Sequence, residues 1–483
     1  MRTSCARPGQ RLAGAAAIIV LSAAAADAQM VRIQAQREVQ PPDYATFRLG
    51  PLYSAVSWTE TVGYRYTTSS GSGSDYLINN DRGTIKEDGS DFPILSSLTF
   101  RNYLVLSRYA DVDASFTASY WHYPMDTQDD EFFFDLAQEG VYGTLSTEFR
   151  LSPYLYGALY DSIIYRTDYV DTRGLQDRYG GQRYRYLQNT VGGRLNWLMA
   201  PRDTLTLSLS RGDWWSMDND FDDQERTEYT EGLTYTRMAR EGVNVGAEST
   251  FHQYLYKSDS RDDTLIQDYR LFARIDQGAG PAWMENSAAA AHVGYSLGTG
   301  TSSGATNEND MSTVNAGASL DTELRKDLSH GLSYEHGLTG GFNSSFEEYD
   351  NVSYRLNWAG QLGSAVFRSA YSSVQPSADD SGDYTTWANG VTLSRALSKL
   401  LSVTLDSTYT LRNNRDADTT DTAQLEDTSD YETWVTTLST GFQLTKRTTF
   451  TTSLQHAERF SDAEDLAYTR DTFEAHLTYR RQF

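Results

Sequence analysis

The chain has 483 residues, 65 Asp plus Glu against 41 Lys plus Arg, 33 Tyr, 36 Gly, 10 Pro and one Cys, with a formal net charge of -24. That charge, with no basic patch, excludes a nucleic-acid partner, because binding a phosphate backbone takes concentrated Lys and Arg that displace its counterions. The length would suit about three ordinary domains, yet no Pro- or Gly-rich linker divides the sequence, so one large domain is the expectation.

Residues 1–28 read as a secretory signal. Arg2, Arg7 and Arg11 supply its charge, Leu12 to Ala26 its apolar stretch, and Ala26-Asp27-Ala28 a small-x-small cleavage site. Cleavage after Ala28 removes Cys5, the one cysteine, so the exported chain must fold without a disulfide or a thiol nucleophile. Residues 29–54, with Gln29, Gln34, Gln36, Gln40 and Pro41-Pro42, read as a short flexible periplasmic segment. Beyond the signal, no run approaches the roughly 18 to 20 consecutive apolar residues of a membrane-spanning helix. Periodicity must therefore separate a soluble exported protein from a membrane barrel.

From about Ala55 to Phe483 the pattern has period two. Leu205, Leu207 and Leu209 interleave with Thr204, Thr206 and Ser208; Tyr354, Leu356 and Trp358 with Ser353, Arg355 and Asn357; Val403, Leu405 and Tyr409 with Thr404, Asp406 and Thr408. At the end, Phe473, Ala475, Leu477, Tyr479 and Phe483 share one face while Glu474, His476, Thr478, Arg480 and Gln482 share the other. Segments of about ten residues alternating in this way are the signature of strands in an outer-membrane barrel.

Connection lengths alternate too. Short turns fall near 107–110, 151–153, 200–203, 239–242, 277–281, 325–327, 362–363, 398–399 and 445–447. Polar stretches lie between them at 68–91, 126–131, 167–183, 218–228, 257–263, 301–310, 347–350, 375–383, 413–430 and 459–467. A sandwich has no reason to sort its loops by parity, whereas a barrel with one end in the periplasm does. The fold class expected is all-β, a transmembrane antiparallel up-and-down barrel of about 18 to 20 strands over residues 55–483. Acidic residues gather in the longer stretches, while Arg202, Arg240, Arg325, Lys326, Arg395, Lys399, Lys446 and Arg447 mark the short turns and their flanks. Aromatic residues at strand ends, among them Tyr64 and Tyr66, Tyr120 and Trp121, Trp214 and Trp215, Trp197, Trp387 and Trp434, suit a headgroup boundary.

The same alternation assigns charged residues to the interior: Arg65, Arg101, Asp113, Arg194, Glu248, Asp268, Arg270, Arg274, Asp321, Glu323, Arg355, Arg368, Asp406 and Arg412. An Arg or Lys on the lipid face would cost about 2 to 4 kcal/mol at the midplane. Two readings stand side by side: a hydrated, mixed-charge pore wall, or a salt-bridged interior that plugs the barrel.

No catalytic or metal set emerges, and neither metal nor cofactor is expected. Asp218-x-Asp220-x-Asp222 begins like an EF-hand loop, but Asp223 stands where the turn needs Gly and Tyr229 where the bidentate Glu belongs. The seven histidines are scattered, and no G-x-S-x-G or H-E-x-x-H motif occurs. A channel rather than an enzyme is the expectation, with a general solute porin and a structural, adhesive or enzymatic barrel as alternatives.

Phe47-Arg48-Leu49-Gly50-Pro51, the strand ending Gly63-Tyr64-Arg65-Tyr66 and the run from Phe92 to Tyr109 resemble the β-barrel porin family found beside bacterial exopolysaccharide-export genes. Phe483, closing an alternating strand with Tyr479, resembles the C-terminal signal read by the barrel assembly machinery, although Arg481 stands where that pattern has an apolar residue. The resemblance implies polysaccharide passage through the outer membrane and no catalytic residues. Its implied partners are membrane lipid and lipopolysaccharide, the assembly machinery and a periplasmic export protein.

Overall fold

The computed structural model describes residues 45–70, 89–122, 124, 131–133, 143–170, 182–217, 219–258, 263–301, 310–341, 346–377, 383–415, 430–461 and 467–483. The signal and residues 29–44 lie outside the described residues.

Twenty long strands form one sheet. They are β1 (Leu52–Ser70), β2 (Ile94–Ser107), β3 (Ala110–His122), β4 (Gly143–Ser152), β5 (Leu155–Val170), β6 (Gln182–Ala200) and β7 (Asp203–Ser216). Next come β8 (Arg226–Arg240), β9 (Val243–Tyr256), β10 (Asp263–Ile275), β11 (Ser287–Thr301), β12 (Met311–Arg325) and β13 (Leu328–Gly340). The last are β14 (Phe346–Ala359), β15 (Gly363–Pro376), β16 (Asp383–Ala396), β17 (Leu401–Arg415), β18 (Tyr431–Gln443), β19 (Thr448–Ser461) and β20 (Tyr468–Gln482). Each pairs antiparallel with its sequence neighbour, and β20 pairs with β1 from Ser57↔Gln482 to Ser70↔Thr469, which closes the barrel.

Local chemistry explains the tight end. Arg108–Tyr109, Pro153–Tyr154, Pro201–Arg202, Glu241–Gly242 and Lys326–Asp327 are two-residue connections. A register shift sits beside each, as between Val105 and Ser107 or between Glu323 and Arg325, and such a bulge accommodates the twist of a tight hairpin. The Ser107 and Ser152 hydroxyls accept from the backbone N–H two residues on, at 3.1 Å each, and fix the turn. Gly242, with φ 69°, takes a conformation that L side chains resist. The one long connection at this end, 276–286, carries a 3-10 turn at Ala282–Met284 and Gly278 at φ 81°.

Polarity is inverted relative to a water-soluble barrel. Exposed apolar side chains occupy alternate positions on the outside: Leu207 and Leu209 on β7, Leu271 on β10, Val293, Tyr295 and Leu297 on β11, Val391 and Leu393 on β16. The positions between them face inward and are polar, among them Thr206, Ser208, Arg270, His292, Thr392 and Ser394. Buried apolar clusters are small, such as Tyr349, Val374 and Tyr384.

The structure departs from the sequence expectation in three places. The sheet begins before Ala55, because Gly50 (φ 62°) turns the chain back so that Phe47–Leu49 pairs with β1. Glu131–Phe133, expected to border the next strand, instead pairs briefly with the end of β3, and the described part of β4 is Gly143–Ser152. Trp214 and Trp215 cannot both lie on the outside, since neighbours on a strand face opposite ways. Trp214 points inward, stacked on Tyr186 with ring centroids 4.6 Å apart.

Candidate lumen site

Strand alternation carries every one of the fourteen interior candidates to the face opposite the exposed apolar residues, but their environments differ. Arg65 Nε donates to Glu474 Oε1 at 2.7 Å across the closing seam. Arg274 Nε donates to Asp276 Oδ1 at 3.0 Å, and Arg270 lies 3.6 Å from Asp268. Asp406 accepts from Thr392 at 2.5 Å, and Glu323 accepts from Gln277 at 3.0 Å. Glu248 stands opposite Arg270 in the register, and Asp113 opposite Tyr103. Arg101 and Arg194 are half-buried on the same face.

Arg412 is 4% exposed and lies over the Tyr384 ring at 4.7 Å from its centroid. It belongs to a stack in which Arg459 sits 3.9 Å above Tyr431, near buried Tyr468. A second stack joins Tyr186, Trp214, Arg226 and Tyr256, with Arg226 4.4 Å from the Trp214 centroid. Cation–π stacking of this kind stiffens the long-loop end of the wall. Alternation pairs residues with faces but cannot say which inward aromatic meets which arginine, so the stacks were not legible in the sequence.

Arg355 and Arg368 form a different group. They stand directly opposite one another on β14 and β15, both inward and both exposed. Asp321, two strands away, is also inward and exposed. Inward side chains that keep their accessibility mark open space inside the barrel at this level.

At the long-loop end the β13–β14 hairpin leans inward. Pairing of β12 with β13 runs only from Ala316↔His336 to Arg325↔Leu328, so Met311–Asn315 pair with β11 alone among the described residues. The freed end of the hairpin packs Leu338 (5% exposed) and Phe346 (0%) against inward-facing Ile266 of β10, with Tyr254 and Met311 around them. Beneath it lies a buried polar network. Asn315 Nδ2 donates to Asp268 Oδ1 at 3.2 Å and to Ser296 Oγ at 3.0 Å, and Ser296 Oγ donates to Asp268. His292 Nε2 lies 2.9 Å from Asn315 Oδ1 and 3.5 Å from Glu335 Oε1. At the fork between strands, Thr313 Oγ1 donates to Glu348 Oε1 at 3.1 Å and meets His336 Nε2 at the same distance.

No group of His, Cys, Asp and Glu that could hold a metal occurs among the described residues. Asp218 lies outside them, and Asp222 and Asp223 belong to a loop with a 3-10 turn, Asn219–Gln224.

No protein-family model matches the chain, and no curated protein matches it. Among solved structures it is similar to the FrpB iron transporter from Neisseria meningitidis (7% identity, 88% of this chain and 82% of that one, TM-score 0.46). It is also similar to Pseudomonas aeruginosa OccK2 (12% identity, 89% and 98% covered, TM-score 0.41). A third is the alcaligin outer-membrane receptor FauA from Bordetella pertussis (9% identity, 86% and 75% covered, TM-score 0.44). At such identities and TM-scores nothing that those proteins carry transfers to this chain.

Proposed function

We propose that the chain is an outer-membrane channel for hydrophilic solutes, with exopolysaccharide as its cargo. Inverted polarity carries this reading. A belt of exposed Leu, Val, Phe and Trp encircling a closed sheet needs an apolar solvent, because soluble proteins rarely expose more than a few hundred Å² of contiguous apolar surface. Closure of the sheet leaves it without a free edge strand, as hydrocarbon requires. Barrels of 16 to 18 strands already leave an aqueous lumen, and the hydroxyl, amide and guanidinium groups inside suit sugar hydroxyls and acidic substituents. Removal of residues 1–28, recognition of Tyr479 and Phe483 by the assembly machinery, contact with lipopolysaccharide and docking of a periplasmic export protein complete the proposal.

Purified protein placed in a planar bilayer is expected to conduct ions. A silent bilayer containing folded barrel overturns the open conduit in favour of the plugged interior. Deleting the gene is expected to strip polysaccharide from the cell surface, and unchanged surface polymer leaves a general solute porin as the function.

A further inference from the structure

We propose that Arg355 and Arg368 form an anion-binding station on the lumen wall, engaging a carboxylate or phosphate group borne by a solute in transit. This rests on the conduit reading and adds to it a place and a chemistry. Like charges directly opposite on neighbouring strands destabilise a sheet, and here two guanidinium groups hold that relationship in a chain with a net charge of -24. Carboxylates able to neutralise an inward arginine are present elsewhere: Arg65, Arg270 and Arg274 each have one. Arg355, by contrast, spends its Nε on the amide oxygen of Asn357 at 2.6 Å, and Arg368 makes neither hydrogen bond nor ion pair among the described residues.

The surrounding wall is shaped to leave them reachable. The register across five strands reads Asp321, Gly331, Arg355, Arg368, Gly390, so a glycine flanks the pair on each side. At Gly390 an added Cβ would come no closer than 3.4 Å to any atom, which leaves an open shoulder beside Arg368. At Gly331 it would come within 2.5 Å of Asp321 Oδ1. Asp321 therefore leans over Gly331 toward the pair, yet it makes no ion pair with Arg355 within 4.0 Å. Directly opposite in the register, the two arginines bring two guanidinium-bearing side chains to one place on the wall, and guanidinium N–H groups bind carboxylate and phosphate oxygens better than any other side chain's donors.

The test uses the full barrel in planar bilayers with three probes: galacturonate, galactose and inorganic phosphate. Galacturonate is expected to block the chloride-carried current saturably, with galactose inert. R355Q/R368Q is expected to raise the half-blocking concentration at least about tenfold, the loss of one charge-assisted hydrogen bond or more. R237Q/R395Q, which removes the same charge from the outer face, is expected to leave it unchanged. Phosphate blocking like galacturonate assigns the station to anions in general, and phosphate without effect assigns it to carboxylates. Equal block in R355Q/R368Q and the parent, or equal block by galactose, overturns the proposal. Equilibrium dialysis of galacturonate against the detergent-solubilised barrel separates the two readings. Arginine-dependent binding beside a silent bilayer overturns the conduit and keeps the station, whereas conduction with binding unaltered in R355Q/R368Q overturns the station alone.

Discussion

Arg65 and Glu474 meet at 2.7 Å on the inner face of the strand pair that joins the first long strand to the last. About a quarter of each side chain is exposed, so the pair lies between a solvated surface bridge and a desolvated one. Thr61 and Thr478 exchange a hydroxyl contact at 3.0 Å on the same seam. The backbone N–H of Phe483 continues the pairing, donating to Val56 O at 2.8 Å.

Breaking that ion pair is expected to weaken closure more than folding of the other hairpins. Glu474→Gln keeps the shape and removes the charge, at a cost of about 1 kcal/mol. The temperature at which the folded barrel loses its fast gel mobility is expected to fall, and charge-swapped Arg65→Glu with Glu474→Arg to recover it. A Gln variant as heat-resistant as the parent shows that the seam is held by backbone pairing alone.

Deletion of Phe483 addresses assembly. Its backbone N–H extends the closing ladder by one bond, and its ring lies 4.6 Å from the Arg481 guanidinium. Truncated chains are expected to be exported and processed normally, yet to yield less heat-modifiable protein in the outer-membrane fraction. Undiminished insertion removes the assembly role given to this residue.

Undocking of the inward hairpin is expected to widen the channel. Phe346 is wholly buried against Ile266 and Leu338, with Tyr254 and Met311 around them, and Phe→Ala at such a site costs about 3 to 5 kcal/mol. That cost falls on the docked hairpin tip rather than on the ladders, so Phe346→Ala and Leu338→Ala barrels are expected to remain assembled with larger or noisier single-channel currents. Currents identical to the parent's place the constriction elsewhere.

The fold was legible because a barrel repeats one rule on every strand: Leu205, Leu207 and Leu209 announce the outside, and Thr204, Thr206 and Ser208 the inside, with no long-range information required. Turn chemistry was legible for the same reason, as Ser107 and Ser152 act on residues two positions away. What could not be read was anything set by departure from that rule. Leu338 has the parity of an outward residue, yet it is buried inside because its hairpin leaves the wall. The difference between Arg274, tied to Asp276, and Arg368, tied to nothing among the described residues, depends on cross-strand register and rotamer, which one sequence does not encode locally. Sorting interior arginines into bound and available ones therefore required three dimensions.

The early end of the β12–β13 ladder has a mechanical meaning. Each row of backbone hydrogen bonds around a complete barrel is a hoop, and hoops resist ovalisation because widening one stretches every bond in it. At the level of Met311–Asn315 the hoop is slit, since the backbone of those residues pairs with β11 on one side and with no described strand on the other. The rim can thus change calibre at that slit without stretching any backbone hydrogen bond of the wall, while the short-turn end, hooped all round, keeps its diameter. That slit lends the rim compliance, and amides along it are expected to trade hydrogen for deuterium before those of the fully paired ladders.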